Sequence, residues 1–411
     1  MPRYLTLDQL NLKGKRVLVR LDLNVPMKDG KILDTSRIDR VAPTLTELID
    51  QGSRIIIISH LGRPEGRDPK FSLFPLKEAL SDCLYGIEVR FVDDCIGPKV
   101  ENAIQELPEG AILLLENLRF HKGEEKNDLT FAQSLAKLGD FYINDAFASV
   151  HRAHASVEKL PHLMPVSAIG RLMEGEIDAL SKVLDHPERP VMAIVGGSKV
   201  STKLALLNNL LQKTDKLVVG GGMANTLLLA QGVQIGTSLC ETDMVAIGRD
   251  ILETAHVKGC ELILPSDVIM APSPQEADQA KRYTIDHLPS DQMILDIGPT
   301  TTRAIITHLK ECATLVWNGP LGLFETPPFD ISTREIAQYV AERTQEQLLL
   351  SIAGGGDTIS ALSQAGVMND FSYVSTAGGA FLEWLEGKTL PGLKALDRPE
   401  PEGPHCPLHL S

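Results

Sequence analysis

Short, nearly continuous apolar runs punctuate the first part of the chain at Val17–Leu23, Ile55–Ile58, Ile112–Leu115 and Phe141–Ile143. They recur at Val191–Val195, Leu217–Val219, Leu262–Leu264, Met293–Leu295, Leu315–Trp317 and Leu348–Ile352. These runs do not alternate polar and apolar residues, which predicts strands buried on both faces. Between them lie longer stretches with helical spacing, such as Lys203–Leu211 and Arg334–Ala341. The β-α-β-α rhythm predicts an α/β fold in which a parallel sheet carries helices on both faces.

The segment Arg171–Leu184 is amphipathic and precedes Asp185-His-Pro-Glu-Arg-Pro190, whose two prolines stop a helix and restart an extended chain. The boundary between two similarly built halves is expected here. From Asp397 to Ser411 the chain holds four prolines and little apolar periodicity, and reads as a poorly ordered tail.

Composition narrows the function classes. A chain of 411 residues with 43% hydrophobic and 23% charged side chains is long enough for two or three domains, each with its own core. Forty Lys and Arg against fifty-four Asp and Glu leave a net charge of −14, which argues against nucleic acid or an anionic membrane as partner. Any anionic ligand must then be held by a local basic cluster. The N-terminus lacks the apolar stretch of a signal peptide, and no apolar run approaches the roughly 18 residues of a membrane helix, so a cytoplasmic protein is expected. Cys83, Cys95, Cys240, Cys260, Cys312 and Cys406 are scattered, with no CxxC pair. That spacing signals neither a disulfide framework nor a zinc site, and predicts reduced, buried thiols.

In open parallel sheets ligands bind beyond the carboxyl ends of the strands. In the first half these positions carry Asp22 and Asn24, with Arg37 beyond a loop, then Ser59-His60-Leu-Gly-Arg63, Glu116-Asn-Leu-Arg119-Phe-His121, and His151-Arg152-Ala-His154. Each arginine alone fits an ordinary surface ion pair. Four strand ends with the same chemistry point instead to a compact polyanion, gripped by planar guanidinium forks that stay charged at any physiological pH. His151 and His154 read as ligand contacts or structural residues, since nothing completes a metal-ligand set around them.

The second half ends its strands on glycine: Gly196-Gly-Ser-Lys199, Gly220-Gly-Gly-Met223, Gly298-Pro-Thr, Asn318-Gly-Pro-Leu-Gly322, Gly354-Gly-Gly-Asp357-Thr358 and Ser375-Thr-Ala-Gly-Gly379. Glycine lets backbone N–H groups approach phosphate closely, and a helix N-terminus adds partial positive charge. Lys199 and Lys203, four apart at the start of an expected helix, would share one face near the phosphates. Asp357 is the natural carboxylate for Mg²⁺. There is no GxxxxGK[ST] loop, no GxGxxG after the first strand and no protein-kinase signature; Gly387-Lys388-Thr389 lacks the upstream glycine. A nucleotide-cofactor dehydrogenase would need GxGxxG where Asp22-Leu-Asn24 stands, and a hinged solute-binding protein would need neither lysine nor Asp357. A polyanion-binding half and a phosphate-binding half together suit phosphoryl transfer.

Eight ordered strings resemble the phosphoglycerate kinase family: Arg20-Leu-Asp22-Leu-Asn24-Val-Pro26, Ser59-His-Leu-Gly-Arg-Pro64, Glu116-Asn-Leu-Arg-Phe120, His151-Arg-Ala-His154, Gly196-Gly-Ser-Lys-Val200, Gly220-Gly-Gly-Met223, Trp317-Asn-Gly-Pro320 and Gly354-Gly-Gly-Asp-Thr358. The resemblance runs from about residue 4 to residue 396. It implies two Rossmann-like lobes, each a parallel sheet flanked by helices, joined by a hinge helix. The implied bounds are an N-terminal lobe over 1–170, the interdomain helix and hinge over 171–188, a nucleotide-binding lobe over 189–386, and a segment returning to the first lobe over 387–411.

The activity implied is reversible, Mg²⁺-dependent phosphoryl transfer between 1,3-bisphosphoglycerate and ADP in a cleft closed by hinge bending. Asp22, Asn24, Arg37, His60, Arg63, Arg119 and Arg152 are then expected on 3-phosphoglycerate or 1,3-bisphosphoglycerate. Gly197, Lys199, Lys203, Gly222, Asn318, Pro320, Glu325, Gly355, Gly356, Asp357 and Thr358 are expected on ADP or ATP. Catalytic roles fall to Arg37, Lys199 and Lys203, and the metal to Asp357. A monomer is implied as well. Three departures from the family pattern stand out: Ala377 in a turn that usually reads Ser-Thr-Gly-Gly-Gly, Phe381 where serine is common, and Ala148-Ser149-Val150 before His151. Ala377 is expected to keep an ordinary backbone conformation.

Overall fold

Burial on both faces makes a strand read as an unbroken apolar run, and the early runs assemble into one six-stranded sheet. In the computed structural model, which describes residues 3–397, its strands are β1 (Arg16–Leu21), β2 (Arg54–Ile58), β3 (Val89–Val92), β4 (Ile112–Leu115), β5 (Phe141–Asp145) and β6 (Ser167–Ile169). Their order is β3-β4-β2-β1-β5-β6 and every pair is parallel. Helix α1 (Ser36–Asp50) buries Ile38, Val41, Leu45 and Leu48, a three- and four-residue spacing that lays one stripe on the core.

The second half builds a sheet of the same kind from β7 (Val191–Val195), β8 (Lys216–Val219), β9 (Glu261–Ile263), β13 (Thr314–Asn318), β14 (Leu350–Gly354) and β15 (Tyr373–Ser375). The order is β9-β8-β7-β13-β14-β15, again all parallel. The run Met293–Leu295 does not join it. It forms part of β12 (Met293–Ile297), which pairs antiparallel with β10 (Asp267–Ala271), itself antiparallel to β11 (Lys281–Thr284). Only one 3₁₀ segment and β11 lie between β10 and β12, without the crossover helix that a parallel return normally uses.

Helix α2 (Arg171–Leu184) spans the predicted residues. Its start is tied down by Arg171, whose guanidinium pairs with Asp8 (2.7 Å), Glu47 (2.7 Å) and Glu174 (2.8 Å), while its backbone N–H donates to Thr44 Oγ1. By internal contacts the chain divides into two compact units. One runs to Glu176 and resumes at Thr389; the other is Ile177–Lys388. In the first unit the short helix Pro391–Lys394 lies against the loop after β5: Gly392 N–H donates to the Val150 carbonyl at 2.9 Å, Leu393 and Leu396 are buried, and Asp397 pairs with Arg3 at 2.5 Å.

The proline-rich tail lies outside the described residues. Among those residues no helix is long and apolar enough to cross a membrane. The five described cysteines are free; Cys95, Cys260 and Cys312 are buried as expected, but Cys83 and Cys240 are half-exposed.

Candidate functional site

In the first unit the carboxyl ends of β1, β2 and β4 lie side by side, and a web of hydrogen bonds fixes the residues that follow them. Ser59 Oγ donates to the Leu21 carbonyl and accepts from Leu23 N–H, joining the ends of β1 and β2. Asn117 Nδ2 donates to the Leu61 and Phe71 carbonyls at 2.8 Å, and its Oδ1 accepts from Arg119 N–H. Onto this frame Asn24 Oδ1 accepts from Gly62 N–H at 2.8 Å, Arg119 donates to the Gly62 carbonyl at 2.5 Å, and Asp22 forms an ion pair with Arg37, the second residue of α1.

His60 is almost wholly buried and its Nδ1 lies 2.9 Å from the Arg20 guanidinium. Because arginine only donates, Nδ1 must accept, so the neutral ring carries its proton on Nε2. Burial, then the charges of Arg20, Arg119 and Arg152, hold the His60 pKa well below the usual imidazole value. Burial and the same three arginines push His154 down to about 4. Burial lowers Arg119 to about 10; Glu125 at 3.2 Å opposes that shift, while Arg152 and Arg20 add to it.

Three arginines within electrostatic reach of two neutral imidazoles form a pocket in which cationic groups outnumber the two facing carboxylates, Glu124 and Glu125. Of the predicted residues, Asp22, Asn24, Arg37, His60, Arg119 and Arg152 are drawn together in this way. Arg63 is exposed and no contact ties it to them. Arg20 was not singled out as a site residue by the sequence, and His154 was read there as a ligand contact or a structural residue. The signal for Arg20 was a charge inside an otherwise apolar strand, where it is 1% exposed and also donates to Ser156 Oγ.

In the second unit the strand ends surround a cavity of about 270 Å³. Gly197, Gly222, Pro320, Glu325 and Asp357 line it, and its apolar wall includes Leu239, Leu321 and Phe324. Lys203 sits beside it: Nζ donates to Asn318 Oδ1 and to the Gly196 carbonyl, both at 2.6 Å. Burial lowers this ammonium to about 8, with the Asp357 carboxylate pulling the other way. Asn318 Nδ2 bonds the Gly354 carbonyl at 2.7 Å, and Thr358 Oγ1 accepts from Gly319 N–H at 2.7 Å, so the turn after β13 is stitched to the one after β14.

Gly196 and Gly355 are among the glycines here that admit no side chain. A Cβ on Gly196 would lie 1.7 Å from the Pro320 carbonyl oxygen. Gly355, at φ +100°, would place one 2.6 Å from Asn318 Nδ2. Gly355 is also the residue before the helix Gly356–Gln364.

The shared helical face expected for Lys199 and Lys203 is not observed. Their helix begins only at Leu204 and ends at Lys213, Lys203 is its cap at φ −122°, and Lys199 lies exposed in the preceding turn. The hydrogen bonds of Lys203 to Gly196 and Asn318 hold that stretch outside the helix. Ala377 keeps a negative φ as expected, while Gly378 takes φ +53°. Phe381 is fully buried, and its ring packs against Gly354, where a Cβ would come within 2.6 Å. Gly387-Lys388-Thr389 follows the end of the helix Gly379–Leu385, away from any strand end, with Lys388 paired to Glu386.

The family model for phosphoglycerate kinase matches residues 7–388. The chain belongs to the phosphoglycerate kinase family. It is 54% identical over 394 residues to a phosphoglycerate kinase of Bradyrhizobium diazoefficiens, covering 96% of this chain and 98% of that one. It is 53% identical over 398 residues to one of Azorhizobium caulinodans, covering 97% and 100%. Among solved structures, the phosphoglycerate kinase of Coxiella burnetii superposes with a TM-score of 0.89 at 44% identity, covering 96% of this chain and 98% of that one. The Pyrococcus horikoshii kinase gives 0.78 at 30% identity, covering 95% and 98%. The α/β fold and the activity of this phosphoglycerate kinase family member follow: it is a phosphotransferase with a carboxyl acceptor, working between 1,3-bisphosphoglycerate and ADP in glycolysis.

Proposed function

We propose that the cationic pocket of the first unit holds 3-phosphoglycerate or 1,3-bisphosphoglycerate, and that the cavity of the second holds ADP or ATP. The observation that carries this reading is the convergence of Arg20, Arg119 and Arg152 on two imidazoles kept neutral by burial and by those charges, since a dianionic phosphate would balance the excess of cationic groups. Arg63, Arg119 and Arg152 hold the phosphate end; Asp22, Asn24 and His60 Nε2 orient the hydroxyl and carboxylate, with Arg37 at the carboxylate end. Gly197, Gly222, Asn318, Pro320, Glu325 and Gly355 to Thr358 enclose the nucleotide.

Asp357 is an exposed carboxylate in the first turn of its helix and lines the nucleotide cavity. Mg²⁺ prefers one or two carboxylates together with substrate phosphates, so this donor set fits it. Bound there, the ion would neutralise phosphate charge. The acceptor carboxylate has an ordinary pKa of roughly 3.5 and is already ionised at neutral pH, so no general base is required. What the chain supplies is alignment, and charge from Arg37, Lys199, Lys203 and glycine amides on the moving phosphoryl group. Residues 171–188 act as the hinge that brings the two substrates into line, and the protein works as a cytoplasmic monomer.

The test is ADP formed from Mg-ATP and 3-phosphoglycerate, with a no-acceptor control. Lys203→Ala is expected to lower acceptor-dependent turnover on the order of 10²-fold or more. Turnover within a few-fold of the parent would remove Lys203 from the transferring group.

A further inference from the structure

A second cluster of ligand-type side chains lies at the edge of the first sheet. Strands β3 and β4 pair in parallel, with Val92 opposite Leu115, so the residues that follow them emerge together. Asp94 and Cys95 follow β3; His121 follows the turn after β4; and Glu116 N–H donates to the Asp94 carbonyl to join the two loops. One carboxylate oxygen of Asp94, the Cys95 sulfur and a ring nitrogen of His121 all lie within 4.8 Å of one another. His121 Nε2 is 2.8 Å from Asp94 Oδ1, and the imidazole is held by stacking on Phe131 at 5.3 Å. Cys95 is 1% exposed, whereas Asp94 and His121 are half-exposed, so the cluster opens to solvent on one side.

We propose that Asp94, Cys95 and His121 form a binding site for a zinc-class divalent cation with one coordination position left open. One sulfur, one nitrogen and one oxygen are a donor set that zinc accepts and that the hard cations Mg²⁺ and Ca²⁺ do not favour. Bond lengths near 2.0–2.3 Å put tetrahedral donors roughly 3.3–3.8 Å apart, so small side-chain rotations suffice. The ion takes the place of the direct His121–Asp94 hydrogen bond, and the neutral imidazole carries its proton on Nδ1 so that Nε2 is free to ligate. The Cys95 S–H bond gives way to a metal–sulfur bond, and its proton leaves to solvent. The motif escapes a reading of linear spacing because His121 sits 26 residues beyond Cys95 and meets it only through strand pairing.

The test uses the full-length, tag-free, reduced protein without nucleotide. Titration with Co²⁺ is followed by absorption, and with Zn²⁺ by calorimetry in two buffers of different ionisation enthalpy. The expected result is one equivalent bound, a thiolate-to-cobalt charge-transfer band in the near ultraviolet, and release of at least one proton per ion. Cys95→Ser abolishes the band. His121→Gln and Asp94→Asn, at half-exposed positions where the fold survives, weaken Zn²⁺ binding roughly tenfold or more. Failure to bind a stoichiometric ion, a cobalt spectrum without the thiolate band, or binding unchanged in the His121 and Asp94 variants would each overturn the proposal. Cys83→Ser and Cys240→Ser controls must leave the band in place; its loss there would move the site elsewhere and equally overturn it.

Discussion

His154 shows how a single residue records the charge around it. Its folded pKa of about 4 lies below the roughly 6.5 of an unfolded histidine. The linkage sign follows: stability is whole above pH 6.5 and declines as pH falls from 6.5 towards 4, because the unfolded chain takes up the proton first. In ¹H–¹⁵N spectra of the free protein the His154 ring should stay neutral to about pH 4, and a midpoint near 6.5 would contradict the arginine-crowded pocket. At this scale the sequence was informative wherever chemistry sits directly on a strand end, as with Asp22, His60 and Arg119. It was uninformative where a contact decides the role. Nothing in the string marks Arg20 as the partner of His60, or shows that Lys203 caps its helix instead of lying within it.

The elements that were legible are those whose burial is complete. β4 and β7 match their apolar runs residue for residue. β3 has Arg90 exposed and Phe91 half-buried at a sheet edge, so its apolar run is broken, and β15 is only three residues long. The β10–β12 sheet was missed because antiparallel return needs no helix to announce it. The turn after β14 carries part of the proposed nucleotide site. Gly355→Ala forces a side chain to φ +100° and against Asn318, a strain of about 1–3 kcal/mol. ADP affinity should fall by more than the stability loss accounts for, and calorimetric titration beside urea unfolding separates the two effects. An unchanged ADP affinity would show that the turn is not in contact with nucleotide.

For the whole molecule, the first unit is made from both ends of the described chain. Ending the chain at Lys388 removes Leu393 and Leu396 from their burial and leaves Val150 and Val157 uncovered, a loss of roughly 3 kcal/mol or more. Urea unfolding should show that loss in the first unit, with little change in a transition belonging to Ile177–Lys388; an intact first transition would mean the segment is dispensable. The closing helix Pro391–Lys394 has a further consequence for biosynthesis. A chain emerging from the ribosome presents all six strands of the first sheet early, yet the residues that dock on Val150 are made only after the whole of the second unit. The uninterrupted second unit can finish folding while the first waits, so the part of the protein translated first is completed last.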